Sequence, residues 1–245
     1  MASASSSQNL LRPPTARPYP SSPQKPGSSS SVPRPPLSVH PTATVSEVAY
    51  FQGTHPISVG AGTIIHPRAK LLSFEGPINI GEGCIIGEKC VIGGGSATHC
   101  TTNTQAAPGA SPNRETSEPT ILENSVLVGP LATISAGAHI RSAATVDASA
   151  SLGRNVRIGK HAKVCPSCYI PDNEVVDDWI VIWGGSAGIT GGLGLQRRKR
   201  PSDGGNDLMG GLGGRDVESA RLIVLNRERD CLTKLIGVGT GTRRR

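Results

Sequence analysis

Long apolar runs are missing from this chain. The longest span a few residues, as at Ile180, Val181, Ile182 and Trp183, whereas a helix crossing a bilayer needs about 20. No membrane insertion is expected, and the chain reads as soluble. An apolar stretch is also missing near the N-terminus, which argues against a secretory leader. The Ser-rich start with Arg12 and Arg17 has something of a transit peptide's composition, but its prolines oppose the amphipathic helix such a peptide needs. Without an export signal, the cysteines at 84, 90, 100, 165, 168 and 231 read as reduced thiols. Acidic residues are absent from positions 1–38, which hold 11 Ser and 9 Pro. That segment buries too little to offset its ordering entropy and is expected to be a disordered tail. Residues 184–214 hold 12 Gly around the basic run Arg197, Arg198, Lys199, Arg200 and read as a linker or insertion.

Aromatic residues are scarce, with two Trp, three Tyr and two Phe. The formal net charge of +7 invites a nucleic-acid reading, so its distribution matters. Residues 1–38 carry +4, 184–214 carry +2 and 215–245 carry +4, whereas 39–92, 93–120 and 121–183 carry −1 each. A nucleic-acid-binding domain gathers its cations on a folded face, interleaved with base-reading or stacking residues. Here the positive charge lies in the expected tails and linker, so no nucleic-acid partner is expected, and the basic runs read as solvated.

What the chain does have is a period of six. From Leu122 an aliphatic residue recurs at Val128, Ile134, Ile140, Val146, Leu152, Ile158, Val164, Ile170, Val176 and Ile182 without a slip. Four residues after most of these stands a small residue or valine, such as Val126, Ala132, Ala138, Ala144, Ala150, Val156 and Ala162. The phase appears earlier at Val39, Val45, Phe51, Val59, Ile65, Leu71, Ile80, Ile86 and Ile92, with insertions expected as loops at 52–58 and 72–79. A period of six is neither helical nor plainly alternating, so each hexad is one short strand and a corner. Three corners close a triangular turn of 18 residues, and turns stack about 4.8 Å apart through parallel backbone hydrogen bonds. The predicted ladders are Leu122, Ile140, Ile158, Val176; Val128, Val146, Val164, Ile182; and Ile134, Leu152, Ile170. Hexapeptide repeats resemble left-handed parallel β-helices, which supplies the hand. The expected fold is therefore all-β, a left-handed parallel β-helix over residues 39–183, with a C-terminal α-helix.

Residues 93–120 break the repeat and are expected as an extruded loop. Residues 215–237 read as a helix with Val217, Ala220, Val224, Cys231 and Leu235 on one stripe, either lying along the turns or capping the last strand edge. A basic tail, 238–245, follows.

The chemistry search is governed by histidine, because hexapeptide β-helices include acyltransferases and γ-class carbonic anhydrases. The six histidines, at 40, 55, 66, 99, 139 and 161, are separated by 15, 11, 33, 40 and 22 residues. A γ-class zinc site resembles a His pair about five residues apart with a third one earlier, and that pattern is missing. No metal and no cofactor are expected. His139 or His161 is the available general base for an acyltransferase, yet neither has an evident neighbouring acid in the sequence. Cys165 and Cys168 form a C-x-x-C, but the register points the first out and puts the second at a corner, so they are expected to diverge. Ala143, His161 and Trp179 are spaced by 18 and should form one outer column. His161, Trp179 and Trp183 are the candidate partner-contact residues, in competition with cover by the C-terminal helix.

Residues 63–92, TIIHPRAKLLSFEGPINIGEGCIIGEKCVI, with their IHP-A signature, GPI insertion and IGEG turn, resemble the dynactin subunit 6 family. So do residues 152–184, LGRNVRIGKHAKVCPSCYIPDNEVVDDWIVIWG, with the GRNV rung, the paired-Cys rung and the closing VI-aromatic-G. The resemblance covers roughly 39–236 apart from the loops and departs in the N-terminal tail, the two added residues before Val59 and the 184–214 insertion. It implies a noncatalytic structural or adaptor subunit of the dynactin pointed-end complex, in the cytoplasm and on the cytoskeleton. The implied partners are dynactin subunit 5 and the actin-related protein, with dynein engaged indirectly. A trimeric hexapeptide enzyme, an acyltransferase or γ-carbonic-anhydrase-like protein, is the competing expectation.

Overall fold

Each hexad folds as a short strand, mostly of two residues, followed by a tight corner, and the strands fall into three parallel sheets. The computed structural model describes residues 34–95, 118–185, 194–200 and 214–239. The expected tail over residues 1–33, most of the 93–120 loop, parts of the Gly-rich stretch and residues 240–245 lie outside the described residues.

The first turn comprises β1 (Leu37–Val39), β2 (Thr44–Val45) and β3 (Tyr50–Gly53); the second, β4 (Ile57–Val59), β5 (Ile64–Ile65) and β6 (Lys70–Ser73). The third is β7 (Ile78–Ile80), β8 (Ile85–Ile86) and β9 (Val91–Gly94), and the fourth β10 (Thr120–Leu122), β11 (Leu127–Val128) and β12 (Thr133–Ser135). The fifth holds β13 (His139–Ile140), β14 (Thr145–Val146) and β15 (Ser151–Leu152); the sixth, β16 (Arg157–Ile158), β17 (Lys163–Val164) and β18 (Tyr169–Ile170). A partial turn, β19 (Val175–Val176) and β20 (Ile180–Trp183), ends the left-handed β-helix. Sheet A stacks the first strand of every turn, sheet B the second and sheet C the third.

The predicted ladders are present. Leu122 pairs with Ile140, Ile158 and Val176 in succession; Val128 leads to Val146, Val164 and Ile182; Ile134 leads to Leu152 and Ile170. All are buried, as are the small companions Ala132, Ala138, Ala144, Ala150 and Ala162. Burying each aliphatic contributes about 1.5 to 3 kcal/mol. Across residues 93–120 Ile134 pairs with Ile92, and the register slips by one residue just after it, where Ser135 faces Gly94.

The sharpest bend lies one residue before the companion, in the left-handed backbone region. Ser125, Leu131, Ala143, Ser149, Asn155, His161, Ser167, Asn173 and Trp179 hold φ between 53° and 64° there. The residue after the buried aliphatic is glycine at positions 60, 81, 87, 129, 153 and 159, and at each the next turn presses close. A Cβ on Gly159 would lie 2.4 Å from the carbonyl carbon of Asp177.

Several boundaries differ from the sequence reading. The first strand begins at Leu37, inside the expected tail, where the Pro36 carbonyl accepts the Ile57 N–H at 2.9 Å. The loops expected at 52–58 and 72–79 shrink, because β3, β4, β6 and β7 extend into them. Within the stretch read as linker, β21 (Gln196–Lys199) pairs antiparallel with β20, backbone to backbone, and all its side chains are exposed.

The helix α1 (Gly214–Gly239) lies along sheet B, packed on β2 and β5. Its docking face differs from the expected stripe. Glu218 and Leu225 are buried and Arg221, Leu222, Arg229, Leu232 and Ile236 partly so, whereas Val217, Val224 and Leu235 are 46%, 63% and 73% exposed. The helix covers Ile64 and Ile85, which point outward from sheet B yet are 0% and 2% exposed. Arg221 near its start reaches Ala143 of the fifth turn, and the Arg229 guanidinium lies over Gly62 and Gly83 of the second and third. The helix thus runs back along the stack.

Candidate functional site

The corners joining sheet A to sheet B place Ala143, His161 and Trp179 in one column, as the spacing of 18 requires. The corner backbone turns each of the three side chains out of the prism, and successive turns bring His161 and Trp179 face to face. Their rings stack with centroids 4.3 Å apart and planes inclined by 22°. Of the three expected contact residues, two therefore meet. Trp183 closes β20 opposite Gln196 and is 38% exposed.

The column is engaged by α1 and by the end of β21. Glu218, 2% exposed, pairs with the Arg200 guanidinium at 3.2 Å and with Arg221. His161 Nδ1 lies 3.0 Å from Glu218 Oε1, out of line for a hydrogen bond. Arg221 donates to the Ala143 carbonyl at 3.0 Å and to the Thr145 hydroxyl. The Arg200 backbone N–H donates to the Trp179 carbonyl at 2.8 Å. One buried carboxylate flanked by two guanidinium groups thus fastens α1, β21 and the column together, since a buried charge persists only when paired and hydrogen-bonded. The basic run is accordingly not wholly solvated: Arg200 belongs to this cluster and Arg197 pairs with Glu174.

Both candidate bases have acids beside them that the sequence did not disclose. His139 Nε2 lies 3.0 Å from Glu123 Oε1, one turn earlier on sheet A. The other Glu123 oxygen accepts from the Ser142 hydroxyl at 2.6 Å and its backbone N–H at 3.0 Å. Burial alone raises the Glu123 carboxyl's pKa, but the hydrogen bonds from Ser142 and the His139 contact outweigh it and hold it below its ordinary value. His139 borders a groove of about 670 Å³ lined also by Arg141, Arg157, Asp178 and Lys199. Arg141 is paired there with Asp178 at 3.1 Å. An imidazole oriented by a carboxylate beside a groove is the geometry a general base requires.

The described cysteines are free thiols. Burial pushes Cys84 up to about 11, Cys90 to about 12 and Cys168, with Cys165 beside it, to about 11. Cys168 is buried and Cys165 half-buried, but the expected divergence is incomplete, because the Cys165 thiol stays close enough to raise that of Cys168. Among the described residues no three His, Cys, Asp or Glu side chains converge to hold a metal ion, and no helix is long and apolar enough to cross a membrane.

No protein-family model matches the sequence. The chain is 27% identical over 128 residues to dynactin subunit 6 of Danio rerio, covering 52% of this chain and 61% of that protein. It is 24% identical over 148 residues to dynactin subunit 6 of Xenopus tropicalis, covering 60% of this chain and 68% of the relative. The matched region thus spans about three fifths of the Danio protein's length. Among solved structures, a putative acetyltransferase of Bacillus cereus superposes with a TM-score of 0.57 at 14% identity, covering 81% of this chain and 92% of that one. That likeness carries the hexapeptide-repeat fold and leaves the activity open, and the sequence similarity, at 24–27% identity, is to dynactin subunit 6 of two vertebrates.

Proposed function

We propose that this chain is a noncatalytic structural subunit of a dynactin complex, placed at its pointed end and supporting dynein-dependent cargo transport along microtubules. The observation that carries the reading is the sequence similarity to dynactin subunit 6 of two vertebrates. The architecture suits it, because a stack of backbone-bonded turns is stiff and loses little entropy on docking. The partners are dynactin subunit 5 and the neighbouring actin-related protein, with dynein engaged indirectly, in the cytoplasm and on the cytoskeleton. Trp183, with the outer parts of Trp179 and His161, supplies contact residues, since Trp anchors interfaces. Affinity purification from the native cell followed by mass spectrometry tests this. Dynactin components should co-purify, and Trp183→Ala should reduce their recovery without altering the thermal melt. Recovery of this chain alone overturns the reading.

The Glu123–His139 pair beside its groove favours a second reading, a hexapeptide acyltransferase with His139 as the base. It requires a homotrimer, about three times 25.3 kDa, and acetyl-coenzyme A turnover abolished by His139→Ala. A monomer or heteromer without turnover eliminates it.

A further inference from the structure

Residues 39–92 contain three cations, Arg68, Lys70 and Lys89, and the fold gathers all three around one groove. The pairing of Tyr50 with Lys70 and of Lys70 with Val91 stacks these residues in a column on the outer face of sheet C, beside a second column of Gln52 and Leu72. The groove over these columns has a volume of about 620 Å³. Arg68 and Lys89 flank it from equivalent corners one turn apart, both in the left-handed conformation, with side chains 60% and 50% exposed. Next to it a hollow of about 450 Å³ shares Tyr50 and Gln52 and adds Arg34, Leu37 and Phe51. No carboxylate lines either depression. The adjacent acid is Glu88, 3.7 Å from Arg68 and 3.4 Å from Lys89, so one charge is shared between two cations. Lys70 and Arg34 have no carboxylate partner among the described residues.

We propose that this face of the first three turns binds an acidic, extended segment of another protein, carrying apolar residues between its carboxylates. The carboxylates answer the cations, and the apolar residues answer Tyr50, which is 47% exposed, and the half-buried Leu72 and Val91. Among the stretches outside the described residues, 201–213 carry two acids, Asp203 and Asp207, with glycines rather than apolar residues between them. Residues 1–33 contain no acidic residue, and residues 96–117 contain one, Glu115, directly after Arg114. A single exposed ring and a flat floor suit a peptide better than nucleic acid, which needs aromatic platforms in series. The inference does not rest on the dynactin reading.

The test uses the full chain and a fluorescent peptide alternating glutamate with valine, followed by anisotropy. Saturable binding is expected, weakened about tenfold or more by Lys70→Glu with Lys89→Glu, and weakened also by Tyr50→Ala. The reversed-charge chain should instead bind the corresponding lysine–valine peptide. Where charge reversal lowers the thermal melt, Lys70→Gln with Lys89→Gln replaces it. Equal affinity for polyglutamate reduces the groove to an ion exchanger and overturns the proposal. So does tighter, equally charge-sensitive binding of phosphatidylserine vesicles or oligothymidine, or wild-type affinity in the double variant.

Discussion

At position 158 an isoleucine side chain is fully out of water, wedged between Ile140 and Val176 of the adjoining turns. Ile158→Ala should cost about 2 to 5 kcal/mol in denaturant melts, and Ile158→Asp should prevent folding because it buries an unpaired carboxylate. Such positions were legible because their only task is to be aliphatic every sixth residue. The corner positions were not, since their demand is on φ and side chains of many kinds occupy them. Leu131 shows the cost: it is 56% exposed and held at φ 60°, a conformation that costs an ordinary residue about 1 to 2 kcal/mol. Leu131→Asn should raise the melting temperature, because Asn tolerates that region. The acids beside His139 and His161 were equally hidden. Glu123 reaches His139 from the turn before and Glu218 reaches His161 from α1, at separations with no fixed spacing in the repeat. Glu123 also sets a pH dependence. Its folded carboxyl titrates below its ordinary value of 4.5, so the stability it contributes is present above that value and lost as pH falls through the lower folded one. The difference in melting temperature between wild type and Ser142→Ala should therefore be constant above about pH 5 and shrink in more acidic buffer.

Among the elements, α1 and β21 follow rules that hydrophobic periodicity does not detect. The docking face of α1 alternates charge with leucine, Glu218, Arg221 and Arg229 with Leu222, Leu225 and Leu232, so the more uniformly apolar stripe pointed to the wrong side. β21 buries none of its side chains; it satisfies the edge of β20 through backbone hydrogen bonds, a role that leaves no trace in composition. Both elements converge on Glu218. Glu218→Gln should cost about 3 to 5 kcal/mol of docking energy by leaving two guanidinium groups without their carboxylate. Hydrogen exchange is the appropriate measurement: protection should fall in α1 while the amides of β13 and β16 keep theirs.

For the whole molecule, a stack of turns in which each touches only its neighbours has a stability that sums nearest-neighbour terms, and such arrays come apart piecemeal from their ends. Here α1, beyond the last turn in sequence, reaches back across earlier ones, fastened to the fifth and sixth turns through Arg221 and Glu218 and resting on the second and third through Arg229. It works as a splint laid lengthwise, making the fraying of any one turn a concern of several. Urea unfolding of the full chain should be a single step by circular dichroism and by tryptophan fluorescence alike. Removal of residues 214–245 should separate the two curves, the tryptophan-bearing final turn yielding at lower urea than the rest. A column that grows one turn at a time thereby acquires all-or-none integrity from a part that belongs to none of its turns.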